Sequence, residues 1–144
     1  MLLLVAFLTV FSFVQSPPSP PSAKAAKMVF IDNESTWTNV PPNAELALPA
    51  SGMREVKRRQ DADLVFRFTR VAKPLEPTTN GGPINIVIQN ILVLEVLDKS
   101  GTAVWMGSEV VTPPSGDSKE ARARYMRSFP AGKLVTRFSK ELQK

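Results

Sequence analysis

The 144-residue chain contains no cysteine and no histidine. Without cysteine there is no disulfide, no thiolate nucleophile, no zinc-thiolate site and no cysteine-borne lipid anchor. Without histidine the commonest general base near neutral pH is missing, and with it Ser-His-Asp triads and most transition-metal sites. Only carboxylate, lysine or tyrosine chemistry is left, and there is a single tyrosine. Acidic residues are scarce at the C-terminal end: Lys119 to Lys144 holds eight Lys or Arg against two Glu, a local +6 in a chain whose net charge is +5.

No apolar run is long enough to cross a bilayer. The longest, Leu2 to Val14, has 13 residues broken only by Thr9 and Ser12, where a spanning helix needs about 20. It has the length of a secretion-signal core, although basic residues ahead of it are missing. Four prolines within Pro17–Pro21 then exclude helix, and Ala23-Lys24-Ala25 offers the small-residue pattern that signal peptidase accepts. The expected organisation is a leader over 1–25, cleaved after Ala25, and one α/β domain over 26–144 in the periplasm or secreted, with no membrane span after cleavage. The alternative is a retained membrane anchor on a Pro-rich stalk.

The densest apolar stretch, Ile84 to Leu97, is rich in Ile, Val and Leu and free of Gly and Pro. Asp98-Lys99-Ser100-Gly101 follows as a turn, and Thr102 to Val111 reads as the returning strand of a hairpin. Ile91 to Leu97 is apolar on both faces apart from Glu95, which predicts an inner strand covered by a helix on one face and partly on the other. Val104 and Met106 fall on one side of the second strand, and Trp105, Ala103 and Gly107 on the other. Upstream, Ala62 to Val71 alternates cleanly, with Leu64, Phe66 and Phe68 on one face. Lys73 to Pro83 is a loop by composition, and Gly81-Gly82 within it lacks the following helix that a phosphate-cradling loop needs.

Met28 to Ile31 is a short apolar run that fits a central or next-to-central first strand. Pro41-Pro42 and Pro49 bracket Asn43 to Leu48, so a helix there lasts about two turns. Met53 to Arg59 suits an edge strand or connector guarded by Arg54, Lys57, Arg58 and Arg59. The Asn33-Glu34-Ser35 sequon and the Asp61/Asp63 pair read as turn chemistry rather than as a glycan or cation site.

Lys119 to Phe129 has helical composition after Ser118, and Pro130 either kinks this helix or opens a second one with Ser128 as N-cap. Beyond it, Ala131, Leu134, Val135, Phe138 and Leu142 share about a third of the helical circumference and predict a face packed on the sheet. Lys133, Arg137, Lys140 and Lys144 fall opposite. Together with Arg122, Arg124 and Arg127 they form a cationic stripe that either binds an anion or is a solvated face.

Val29-Phe30-Ile31-Asp32, Ala62-Asp63-Leu64-Val65, the hairpin from Leu94 to Trp105 and the final amphipathic helix resemble small exported bacterial domains related to the TolB amino-terminal domain and the CsgG/LpoB group. The prolines after the first strand depart from the full helix usual in those families. The resemblance implies a sheet with helices on one face and a role in envelope protein assembly or binding, and transfers no catalytic residues.

The expected fold is therefore an α+β two-layer sandwich, a mostly antiparallel sheet of about five strands with the C-terminal amphipathic helix on one face. The expected function is non-enzymatic: binding or assembly with another envelope or secreted protein, without a cofactor or metal. An exposed apolar patch or an open strand edge beside the hairpin would mark it. The alternative is polyanion binding through Arg122, Arg124, Arg127, Lys133, Arg137 and Lys140. A third reading, carboxylate catalysis by Glu95 and Glu109, requires the two to face each other in a cleft.

Overall fold

A computed structural model describes residues 28–75 and 86–144. The leader, its cleavage point, the Gly81-Gly82 loop tip and the predicted strand start at Ile84 lie outside them. The elements in chain order are β1 (Met28–Asn33), α1 (Val40–Ala47), β2 (Arg54–Glu55), β3 (Leu64–Pro74), β4 (Ile88–Leu97), β5 (Ala103–Val111), α2 (Lys119–Ser128) and α3 (Pro130–Leu142). One sheet runs in the order β2-β1-β3-β4-β5, so β1 is next to central. β1 lies parallel to β2 and β3, while the longer β3–β4 and β4–β5 ladders are antiparallel. This is the α+β sandwich that the sequence predicts.

Register fixes what each face carries, because directly paired residues point to the same side. Val29, Phe66, Leu94 and Phe68 share one face with Leu92 and Val96, and all are fully buried. α3 lies on this face through Ala131, Leu134, Val135 and Phe138, the stripe read from its period. The Phe138 ring meets Phe66 edge-on at 5.5 Å and Trp105 at the same distance. Each such side chain withdrawn from water contributes about 1.5–3 kcal/mol, and the phenyl contacts add a little more.

α1 is short for the reason its prolines give. Pro41 and Pro42 fit the first turn, where their missing N–H groups have no partner to lose, and Pro49 closes the other end into a 3-10 turn over Pro49–Ser51. Val40 and Ala44 face the core.

Pro130 opens a second helix rather than kinking one. It forces Phe129 into an extended conformation (ψ 134°). Ser128 is not the N-cap, however: it is still the last residue of α2, with its hydroxyl donating to the Tyr125 carbonyl. The N-cap position falls to Phe129, whose side chain cannot accept a hydrogen bond. Asn43 of α1 supplies the missing acceptor. Its Oδ1 takes the Gly132 N–H at 2.6 Å, and its Nδ2 donates to the Met126 carbonyl at 2.9 Å, so one buried amide joins the end of α2 to the start of α3. Gly132 permits the approach, since a Cβ there would stand 3.0 Å from the Asn43 carbonyl oxygen.

The β4–β5 turn is closed by Asp98, whose Oδ1 accepts the N–H groups of Ser100 and Thr102 and the Ser100 hydroxyl, with Gly101 at φ 83°. These bonds, the Ser100 hydroxyl first, hold the Asp98 carboxyl below its usual range. A bulge between Val96 and Leu97 follows. It places Ala103 opposite Leu97, away from Trp105, which corrects the grouping expected from strict alternation: one extra residue shifts the period.

Candidate binding surface

Among the described residues no helix lies on the second face of the sheet. Register assigns to it Asp32 of β1, Arg67, Thr69, Val71 and Lys73 of β3, Gln89, Ile91, Val93 and Glu95 of β4, and Met106, Ser108 and Val110 of β5. Only its far end is closed, where Val65 and Leu97 are buried beside the Arg59–Asp61 and Asp98–Gly101 turns. The partial cover expected over β4 is thus confined to that end. Elsewhere Val71, Val104, Met106 and Val110 are exposed, with Met106 61% accessible. Among the charges of this face, Arg67 Nε lies 3.5 Å from Asp32 and 3.7 Å from Glu34, and Glu95 pairs directly across from Arg67 in the ladder. Asp32, Glu34 and Arg67 lie toward β1, Glu95 reaches onto β4 and Lys73 stands near the end of β3, and between them Val71, Ile91, Val93, Met106 and Val110 form an apolar field.

Where β3 and β4 run past β1, a groove of about 400 Å³ is lined by Trp37, Ile88, Val111, Pro113, Pro114 and Tyr125, among others. Trp37 is held on its inner side by Phe129, 5.8 Å away and edge-on, and the Arg70 guanidinium stands 5.0 Å over its ring. Arg70 is oriented in turn by the Asn90 side-chain oxygen. Trp37 therefore covers the core edge, as its place after β1 suggests.

The predicted cationic stripe is divided between two helices and two kinds of surroundings. Arg122, Arg124 and Arg127 are exposed on α2 and take part in none of the ion pairs among the described residues. Lys140 is exposed near the end of α3. Lys133 and Arg137, by contrast, both bind the carboxylate of Glu109 on β5, Lys133 at 3.1 Å and Arg137 in closer contact. Arg137 also reaches the Ser108 carbonyl. These two cations anchor α3 to the edge strand, a pairing that sequence spacing could not reveal because Glu109 is 24 and 28 residues away.

The carboxylate pair imagined for catalysis is not formed. Glu95 is opposite Met106 and Glu109 opposite Leu92, which puts them on different faces of the sheet. The smaller motifs are engaged in holding the fold. Asn33 donates to the Trp37 carbonyl and accepts from Ser35, which occupies the sequon amide. Asp63 accepts the Met28 N–H and pairs with Lys99 at 3.4 Å, while Asp61 pairs with Arg58. Among the described residues no group of three metal-ligating side chains comes together, and no helix is long and apolar enough to cross a membrane.

No family model matches the chain, and no curated protein matches it. Solved structures with a similar outline include bacterial lipoproteins. A minor lipoprotein from Acinetobacter baumannii is 13% identical with a TM-score of 0.43, over 81% of this chain and 90% of that one. Uncharacterized lipoprotein B from Nitrosomonas europaea is 11% identical with a TM-score of 0.45, over 79% and 80%. Lipoprotein GNA1162 from Neisseria meningitidis is 17% identical with a TM-score of 0.37, over 81% and 98%. None of these three is named as a TolB or CsgG/LpoB protein, and likeness at this level carries no argument about function.

Proposed function

We propose that this protein is an exported, non-enzymatic binding module that engages another envelope or secreted protein through the open face of its sheet. The observation that carries this reading is the apolar field across β3, β4 and β5, where Val71, Met106 and Val110 are exposed and Ile91 and Val93 lie between them with no covering helix among the described residues. A β-sheet face with this content is stable in water only at the cost of exposed apolar surface, which a protein partner would remove. The charged group of Asp32, Glu34, Arg67 and Glu95 beside it gives the contact an orientation and a polar rim. Export is read from the apolar run Leu2–Val14 and the Ala23-Lys24-Ala25 pattern.

Binding by the cationic helix is the weaker alternative, because Lys133 and Arg137 are already engaged by Glu109 and half-balanced by its charge. The test is capture of partners from an envelope or secreted fraction at low and high salt, with wild type and Val71→Glu side by side. The reading expects a protein partner that is retained at high salt and lost in Val71→Glu, with the unfolding temperature of the variant unchanged. Capture of acidic polymers alone, released by salt and indifferent to Val71→Glu, would replace it with the polyanion reading.

A further inference from the structure

The two edges of the sheet are built differently. β2, at one edge, is two residues long, and Arg54, Lys57, Arg58 and Arg59 crowd it with positive charge, so it offers almost no ladder to an incoming strand. β5, at the other edge, is nine residues long and contains neither Lys nor Pro. Its one charge, Glu109, is turned to the helix face and held by Lys133 and Arg137 of its own chain. Its open-face row of Met106, Ser108 and Val110 is exposed. A long, partly apolar edge whose single charge is held within its own chain is a template for another strand.

From this asymmetry we infer that β5 pairs antiparallel with β5 of a second copy of this chain, about a two-fold axis at Ser108, to make one continuous sheet across two molecules. The residues of the strand are self-complementary about that point. Ser108 meets Ser108 of the second copy at the axis, and Met106 faces Val110 on either side of it, which pairs the exposed apolar residues of the row with each other. On the helix face Glu109 falls opposite Gly107, which has no side chain to crowd it, and Trp105 opposite Val111. No two like charges stand directly opposite, as cross-strand pairing requires. The register stays within Trp105 to Val111, clear of the bulge at Val96/Leu97. An isologous contact of this kind closes on itself as a dimer. The inference concerns the edge of the sheet, shares Met106 and Val110 with the proposed binding face, and is separated from that reading by Val71, which takes no part in the β5 contact.

The test is the solution mass of the purified protein, expressed from the full-length chain, across a concentration series by sedimentation velocity. A reversible dimer is expected, with the dimer lost in Met106→Lys and in Val110→Lys while both variants keep the wild-type circular dichroism and unfolding temperature. Because the chain is cysteine-free, Ser108→Cys is a single reporter, and a short bis-maleimide is expected to join two copies through it. A wild type that stays monomeric into the millimolar range overturns the inference. So does a dimer that survives both lysine substitutions. Neither result bears on Val71→Glu, which lies on β3 and reports on the face alone.

Discussion

The Oδ1 of Asn43 accepts the backbone N–H of Gly132 at 2.6 Å, across 89 residues of sequence. A helix N-terminus normally finds its cap in the residue just before it. Here that residue is Phe129, and the cap comes from another helix. Asn43→Ala removes the acceptor for Gly132 and the donor to Met126 from a buried position, and is expected to lower stability by about 2–3 kcal/mol. Ser128→Ala, which the sequence pattern would single out, is expected to change it by less than about 0.5 kcal/mol. Urea unfolding of the two variants decides which residue caps α3.

Leu94 sits in the middle of β4 with no exposed surface. Leu94→Ala opens a cavity between the sheet and α3 and is expected to cost about 2–5 kcal/mol. Lys140→Ala, on the exposed side of the same helix, is expected to fall within about 0.5 kcal/mol of wild type. Thermal unfolding that ranked them in the reverse order would contradict the assignment of faces.

Glu109 holds Lys133 and Arg137 together and balances one of their two charges. Glu109→Gln keeps the shape of the side chain but leaves two cations beside an amide, and is expected to destabilise by about 1 kcal/mol at low ionic strength. The loss should shrink as salt screens the cations from each other. Unfolding measured at two salt concentrations reads both effects.

Glu55 of β2 is raised from 4.5 to about 7, first by burial and then by a hydrogen bond to the Glu45 side chain and by its charge, with Lys57 opposing. A carboxyl group raised in the folded state binds its proton more tightly there than in the unfolded chain. Its contribution to stability is complete below 4.5 and is lost as pH rises through about 7. Glu55→Gln is therefore expected to abolish this decline, so that its unfolding temperature overtakes that of wild type as pH rises through that window. Parallel pH profiles for the two proteins, with no divergence, would remove Glu55 as the cause.

What the sequence disclosed and what it concealed divide along the range of the interactions involved. The α3 stripe from Ala131 to Leu142, the alternation of Leu64, Phe66 and Phe68, and the Asp98–Gly101 turn are local patterns, and each appears where its period or turn chemistry places it. The parallel pairing of β1 with β3, the Asn43 cap and the hold of Glu109 on α3 join residues far apart in the chain, and nothing in their immediate neighbours announces them. The misplacement of Ala103 has a different origin, since a single bulge residue reverses a period-two reading. The open face is legible in outline, since helices are expected on one side of the sheet, but the extent of its cover is not. Ile91 and Val93 are apolar enough to suggest a cover, and sequence alone cannot distinguish a surface buried by its own chain from one that awaits another molecule.

The distance in sequence between Asn43 and Gly132 also has a kinetic side. β3, β4 and β5 form a meander whose pairings join neighbouring segments, and such contacts close quickly because little loop entropy is lost in making them. The docking of α1 on α3, with the amide of Asn43 between them, must wait until the two ends of the domain have met. In a folding experiment Leu94 therefore belongs to the early, rate-limiting contacts, whereas loss of the Asn43 bonds should accelerate unfolding and leave the folding rate nearly unchanged.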